Sequence, residues 1–195
     1  MVREVLQPLA WLACAVYATI PLFWLMIHPC VDYWRLRPRS PYRVLLPLWI
    51  AMWIILGLIT APWRQVSVYQ TSWSWVPSVA LFATGFWIYK TSGKQFNRTQ
   101  LSGRAELLPK QYEQQLVTSG LRGRVRHPVY LGHLCEMLAW SIGTGLAVCY
   151  ALTAFAVVTG AIMIRLEDKE LEQRFGAEYI QYRQRVPAVI PSLRI

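Results

Sequence analysis

Four long stretches of the chain contain no charged residue. They cover residues 6–31, 44–63, 66–89 and 137–164, and each is at least 20 residues long. A helix needs roughly 20 apolar residues to cross the ~30 Å hydrocarbon core of a bilayer. The pattern therefore predicts an integral membrane protein of the all-α class, built as a helical bundle.

The last of these stretches, Met137 to Ile164, is too long for one crossing. Its 28 residues would make a helix of about 42 Å at 1.5 Å per residue. Apolar residues already begin at Val129, and Gly143 and Gly145 lie near the middle of the extended run, where paired glycines favour a reversal of the chain. We expect an antiparallel hairpin of helices at about 129–142 and 146–165, the first too short to cross a bilayer unaided.

Five transmembrane helices are predicted in all, and we treat residues 1–195 as a single domain. The first three lie within residues 1–89, at about 8–30, 44–62 and 67–89. Residues 90–195 hold a long polar loop, the hairpin and a terminal amphipathic helix. That last helix is predicted over Leu166–Val186, from a stripe whose members are Leu171, Phe175, Tyr179 and Tyr182. Its apolar face is expected to pack against the membrane or against the other polar loop.

The net charge of +10 is concentrated in a few segments of the chain. Of the 20 Lys and Arg residues, 18 fall within residues 35–43, 90–126 and 165–194. Such segregation follows the positive-inside rule for cytoplasmic loops, so no nucleic-acid partner is expected. We also expect a bacterial inner-membrane protein whose functional site faces the cytoplasm. The amino terminus then lies outside and the carboxyl terminus inside. Because a single basic residue, Arg3, precedes the first apolar run, that run is expected to be a retained helix.

The four cysteines show no metal-binding or disulfide pattern. Cys14, Cys30, Cys135 and Cys149 sit in or beside apolar runs without CxxC spacing. We interpret them as packing residues and expect no metal site.

Ionisable residues cluster at both ends of the predicted hairpin. Arg126 to Tyr130 enters its first helix, which also carries His133 and Glu136, and a group from Arg165 to Glu170 leaves its second. The hairpin would bring both groups to one cytoplasmic mouth. Glu136 is either functional, since charges beside hydrocarbon are costly, or paired with His133. His127 alone is typical of a helix start, and the acidic group could be a solvated face.

The order of these motifs resembles the isoprenylcysteine carboxyl methyltransferase family, part of a wider group of membrane and phospholipid methyltransferases. The resemblance covers residues 90–192. The matching segments are Leu116-Val117-Thr118-Ser119-Gly120, Arg126-His127-Pro128-Val129-Tyr130-Leu131-Gly132, Glu167-Asp168-Lys169-Glu170-Leu171, Phe175 to Tyr182, and Val186-Pro187 with Pro191 beyond.

The resemblance implies an enzyme that uses S-adenosylmethionine to methylate a lipophilic small molecule or lipid. The acceptor expected first is a small amphipathic molecule with a carboxylate, such as that of a prenylcysteine, or with a thiol-bearing prenyl group. No GxGxxG motif is present, so a Rossmann domain is not expected. The implied cofactor-binding residues are Gln114, Gln115, Leu116, Val117, Arg122, His127, Pro128, Val129, Tyr130 and Glu167. The residues expected at the reaction are Glu167, Arg165 and Glu136; if the acceptor is an amine, His133 is a further candidate base.

The chain departs from the family pattern at two places. Arg122 stands where the family has a tyrosine; its guanidinium could meet the cofactor carboxylate or face solvent, and we favour solvent. Met163 stands where the prenylcysteine enzymes place an arginine that grips the substrate carboxylate, and Arg165 lies on a different helical face. The second departure weakens the prediction of a prenylcysteine substrate more than that of methyl transfer.

Three other functions stay open on the sequence alone. They are N-methylation of a phospholipid amine, an NADPH-dependent reduction of the sterol type, and a non-catalytic membrane role in which His133 and Glu136 are structural or ion-path residues. The fit of the motifs to methyltransferases disfavours the reductase.

Overall fold

The structure, a computed structural model, describes residues 2–37, 39–93, 107 and 115–191. Within those residues the chain forms helices and no strand, apart from an isolated bridge between Ser67 and Leu146. The predicted all-α class is confirmed. The α-helices are α1 (Val2–Ile27), α2 (Val31–Arg35), α3 (Tyr42–Thr60), α4 (Trp75–Gly93), α5 (Pro128–Thr144), α6 (Ala147–Phe175) and α7 (Ala177–Arg185).

Three segments of the described chain are long and apolar enough to cross a membrane. They are Arg3–Arg35, Tyr42–Trp63 and Ala147–Phe175, which contain α1, α3 and α6. Helices α4 and α5 stand in the places of the third and fourth predicted helices. With 17 residues, α5 is about 26 Å long, which agrees with the expectation that it is too short to cross alone.

The third predicted helix begins eight residues later than its apolar pattern suggests, at Trp75 instead of residue 67. The preceding segment bonds to the hairpin instead. The amide of Val68 donates to the carbonyl of Gly145 at 2.8 Å, and the amide of Ala147 donates to the carbonyl of Val66 at 2.9 Å. These contacts satisfy backbone groups that a helix would satisfy internally. Residues 66–71 therefore form a loop, although they carry no charge.

The predicted hairpin between α5 and α6 is confirmed, with its turn at Gly145. This residue has φ +68°, a left-handed conformation that glycine adopts at little cost. The carbonyl oxygen of Tyr69 lies 2.5 Å from where a Cβ on Gly145 would be. A side chain at this turn would therefore meet both backbone strain and a clash.

Helices α4 and α5 run antiparallel and approach closely through small residues. A Cβ on Gly132 of α5 would lie 2.6 Å from Cε1 of Tyr89 on α4. The hydroxyl of Ser78 donates to the carbonyl of Ala139 across the same interface at 2.7 Å. Small residues let backbones approach in this way in membrane helix pairs, so α4 and α5 form a tightly packed unit.

The main apolar core lies where α1 packs against α6. Cys14 and Cys149 are both fully buried in it as free thiols, surrounded by alanine, leucine and valine side chains. This agrees with the interpretation of these cysteines as packing residues. Cys135 is buried and Cys30 is exposed, and neither forms a disulfide.

The amphipathic segment is interrupted by a turn. Helix α6 continues ten residues past its predicted end and stops at Phe175, where Gly176 with φ +56° starts α7 in a new direction. Tyr179 and Tyr182 are buried together with Val186, and Leu116, Leu171 and Phe175 pack against them. The predicted stripe thus packs against the other polar loop.

Candidate active site

A cavity of about 450 Å³ opens at the end of the bundle where α1 ends, α3 and α5 begin, and α6 extends beyond its apolar part. One part of its wall carries polar groups, and the other is apolar and aromatic. The polar part consists of Gln115, Arg122, Arg126, His127, Tyr130, His133, Glu167, Arg174, Tyr179 and Tyr182. The apolar part consists of Ile20, Phe23, Trp24, Leu46, Trp49, Leu116, Pro128, Val129, Leu171 and Phe175, with Tyr42 beside it.

The segment that enters α5 is held in place by the residues that follow α7. The amides of Arg126 and His127 donate to the carbonyls of Pro187 and Ala188, both at 2.9 Å. Pro128 then occupies the first helical position, where its fixed φ suits the helix and its missing N–H is not needed. His127 is thereby buried, and its ring stacks on that of Tyr130 with 5.5 Å between centroids.

Two consecutive acids on α6 take different positions. Glu167 lines the cavity, where its Oε2 lies 3.4 Å from Nδ1 of His127 and accepts a hydrogen bond of 3.3 Å from the Tyr130 hydroxyl. Asp168 is buried and does not line the cavity. Its Oδ2 lies 2.6 Å from Nη2 of Arg126, and its Oδ1 lies 3.2 Å from Nε2 of His127. The two carboxylates therefore hold His127 from both ring nitrogens.

Residues of α7 complete this polar end. The Tyr179 hydroxyl donates to Asp168, and the Tyr182 hydroxyl donates to the carbonyl of Arg122 at 2.7 Å. Burial raises the pKa of Tyr179, and its bond to the Asp168 carboxylate raises it further. Burial also lowers the pKa of the Arg122 guanidinium, while the nearby Tyr182 and Glu167 oppose that change.

Most of the predicted site residues meet at this cavity. Gln115, Leu116, Arg122, His127, Pro128, Val129, Tyr130 and Glu167 line it. Arg122 is half-buried there, contrary to the solvent-facing position that the sequence favours. Val117 does not line the cavity, and Gln114 lies outside the described residues.

Two residues expected at the reaction are placed elsewhere. Arg165 is exposed on α6, and neither it nor Glu136 lines the cavity. Glu136 faces α4, with its Oε1 3.0 Å from where a Cβ on Gly85 would be. Of the two alternatives for Glu136, the pairing with His133 is not seen among the described residues, where Nδ1 of His133 bonds to the Tyr89 hydroxyl at 2.6 Å.

Local sequence patterns carry no signal for the cavity wall that the amino-terminal helices contribute. Phe23 and Trp24 of α1 and Trp49 of α3 line the cavity, yet they belong to apolar runs with no distinguishing spacing and lie outside the span of the motifs. The role of Asp168 was hidden for another reason. It follows Glu167 directly, and although the helix period separates the faces of the two residues, which of them lines the cavity depends on packing that a sequence does not reveal.

The comparisons with known proteins agree with the motifs. The phospholipid methyltransferase family model matches residues 73–178. Protein-S-isoprenylcysteine O-methyltransferase B of Arabidopsis thaliana is 37% identical over 106 residues, 52% of this chain and 49% of the relative. The human protein-S-isoprenylcysteine O-methyltransferase is 28% identical over 158 residues, 74% of this chain and 50% of the relative. Methanethiol S-methyltransferase 2 of Bradyrhizobium diazoefficiens is 27% identical over 165 residues, 83% and 54%.

These similarities confirm the resemblance to the isoprenylcysteine methyltransferases. The chain spans about half the length of the curated relatives it matches. No solved structure gives a significant match.

Proposed function

The chain belongs to the phospholipid methyltransferase family, and on that premise we propose that it transfers a methyl group from S-adenosylmethionine to a lipophilic acceptor. One observation carries the proposal: the motif that enters α5 and the acidic motif of α6 meet at one cavity. There Glu167 of α6 contacts His127 and Tyr130 at the start of α5. Because the same cavity is walled by aromatic residues of membrane helices, it offers a polar site and an apolar site side by side.

The cavity suits S-adenosylmethionine in size and in chemistry. Its volume of about 450 Å³ lies within the roughly 300–1,000 Å³ typical of ligand sites. The cofactor carries an ammonium, a carboxylate, a sulfonium and an adenine. Glu167 would hold the ammonium and Arg122 the carboxylate, by charge-assisted hydrogen bonds, while the rings of Tyr130 and Phe175 would contact the cation or the adenine.

When bound, the cofactor supplies a methyl group on a sulfonium, which is a good leaving group. The protein then has to align the acceptor with the methyl carbon and to exclude water. Such positioning can lower the barrier to methyl transfer by roughly 7–11 kcal/mol. His127 serves this task by its fixed ring, which Asp168 and Glu167 hold from opposite sides. Tyr130 donates to Glu167 and so fixes the carboxylate at the cavity wall.

We propose that the cavity faces the cytoplasm of a bacterial inner membrane. The three segments richest in Lys and Arg include the residues that flank this end of the bundle, as the positive-inside rule requires. The opposite end carries the hairpin turn and Arg3, whose Nη1 donates to Gln70 at 2.6 Å. The acceptor would then reach the cavity from the membrane side, where Ile20 and Trp49 form its wall.

The proposal is tested by ligand binding and by product identification. Purified protein in detergent should bind S-adenosylhomocysteine in calorimetry, and incubation of a bacterial lipid extract with methyl-labelled S-adenosylmethionine should yield a labelled apolar product. Binding of NADPH without binding of S-adenosylhomocysteine would instead support the reductase. If neither ligand binds, the cavity is not a cofactor site and the proposal is wrong.

A further inference from the structure

A second cavity, of about 220 Å³, opens at the end of the bundle opposite the proposed active site. It lies between the first turns of α1, the loop before α4 and the turn that joins α5 to α6. Its volume is below the roughly 300–1,000 Å³ of a site that encloses a whole ligand, so it suits a headgroup-sized part of a larger molecule. The residues that line it are Arg3, Leu6, Gln7, Gln70, Thr71, Ser72, Trp75, Gly143 and Thr144.

Arg3 is the one charged residue among the described residues that line this cavity. Its guanidinium donates to Oε1 of Gln70 at 2.6 Å and to the Ser67 hydroxyl at 3.4 Å. Both partners are neutral, and the exposed acid Glu4 of the same helix does not line the cavity. Because the Gln70 oxygen is occupied by Arg3, the amide nitrogen of Gln70 is left as a donor. The wall of the cavity therefore carries a positive charge.

The carbonyl groups at the end of α5 lie beside the cavity and already have donors. The last carbonyls of a helix have no partner within it. Here the carbonyl of Ile142 accepts from the Tyr69 hydroxyl at 2.7 Å, and that of Gly143 accepts from the Ser74 hydroxyl at 3.0 Å. Since these acceptors are occupied, the groups that the cavity offers to a ligand are mainly hydrogen-bond donors.

Tryptophan side chains place this end of the bundle at a membrane interface. Trp63 and Trp73 are 57% and 82% exposed, and Trp75 lines the cavity. Tryptophan is enriched at the level of the lipid headgroups, where its ring and its polar N–H are both accommodated. The oxyanions found at that depth are the phosphate groups of phospholipids.

We propose that this cavity binds the phosphate of an anionic phospholipid, with Arg3 as the cation that holds it. A guanidinium and a phosphate form charge-assisted hydrogen bonds, and the Gln70 amide with the hydroxyls of Thr71 and Ser72 supplies further donors. No acid lines the cavity among the described residues, so the ammonium of a zwitterionic headgroup finds no partner and phosphatidylglycerol is preferred to phosphatidylcholine. The site is separate from the proposed active site and does not rest on methyl transfer.

Native mass spectrometry of the purified protein in detergent tests the proposal with three probes: phosphatidylglycerol, phosphatidylcholine and inorganic phosphate. The wild-type protein should retain a phosphatidylglycerol that inorganic phosphate does not displace, and it should bind phosphatidylcholine more weakly. Arg3→Gln should weaken this binding by about ten- to a hundredfold, as expected for the loss of a hydrogen bond to a charged group. Gln70→Glu, which keeps Arg3 but gives it a carboxylate partner, should also weaken it.

Arg64→Gln is the matched control. Arg64 is a second exposed arginine at this end, but it lies over the ring of Trp11 at 5.7 Å from the centroid and does not line the cavity. Its substitution should leave the binding of phosphatidylglycerol at the wild-type level. Equal losses in Arg3→Gln and Arg64→Gln would reveal a general effect of surface charge and overturn the proposal.

Two further outcomes would also contradict it. Equal binding of phosphatidylcholine and phosphatidylglycerol by the wild-type protein would show that the cavity does not select an anion. Displacement of the lipid by inorganic phosphate would identify a site for free oxyanions and overturn the assignment to a phospholipid.

Discussion

Arg126 and Asp168 form a buried ion pair between the start of α5 and the extension of α6, with Nη2 of the arginine 2.6 Å from Oδ2 of the aspartate. The same guanidinium donates from Nη1 to the carbonyl of Val186, and the same carboxylate accepts from Tyr179. The pair thus joins α5, α6 and α7. Because it anchors Asp168, it also positions the adjacent Glu167, which lines the cavity.

Asp168→Ala should destabilise the protein strongly, because it leaves the Arg126 guanidinium buried without its carboxylate. Removing one partner of a buried pair typically costs about 3–5 kcal/mol. The control is Asp32→Ala, which removes an exposed partner of Arg35 and should cost at most about 1 kcal/mol. Thermal unfolding in detergent measures both. Similar small losses in the two variants would show that the buried pair is not a structural link.

Gly132→Ala should disturb the contact between α4 and α5. The new methyl group would lie 2.6 Å from Cε1 of Tyr89, and overpacking of this kind costs about 1–3 kcal/mol. Gly57→Ala in α3 is matched to it, since nothing lies within 4 Å of its Cβ position and it should leave stability unchanged or slightly higher. A thermal midpoint that falls equally in both variants would contradict the close approach.

The membrane helices follow from the sequence because apolar length is a local property that the bilayer enforces. The hairpin could be predicted for the same reason: residues 129–165 exceed one crossing, and Gly145 marks the reversal. The start of α4 could not, because residues 66–69 leave the helical pattern for hydrogen bonds to Gly145 and Ala147. Such long-range backbone partners have no signature in local composition.

The candidate site could likewise be predicted from the sequence only in part. Motif residues such as His127 and Glu167 could be named from the sequence, and they do meet at the cavity. The partial burial of Arg122 could not be predicted, because it involves Tyr182 of α7, sixty residues away, whose hydroxyl donates to the Arg122 carbonyl. The orientation of His133 toward Tyr89 instead of Glu136 likewise depends on the packing of α4 against α5.

Stability should fall as the pH rises above about 10, where tyrosine ionises in the unfolded chain. Burial and the bond to Asp168 raise the pKa of Tyr179 above that value in the folded state, so the folded state binds more protons there. Each such group lowers the free energy of unfolding by up to about 1.4 kcal/mol per pH unit. Tyr179→Phe should flatten this slope in pH-dependent unfolding, and an unchanged slope would contradict the assignment.

Glu167→Gln should weaken S-adenosylhomocysteine binding with little effect on stability. The amide keeps the size of the carboxylate and can still accept from Tyr130, but it removes the charge proposed to hold the ligand's ammonium. A hydrogen bond to a charged group contributes about 1.5–3 kcal/mol, so the dissociation constant in calorimetry should rise between about ten- and a hundredfold. Glu178→Gln changes an exposed acid of α7 and should leave affinity unchanged. Wild-type affinity in Glu167→Gln would remove this residue from the cofactor site.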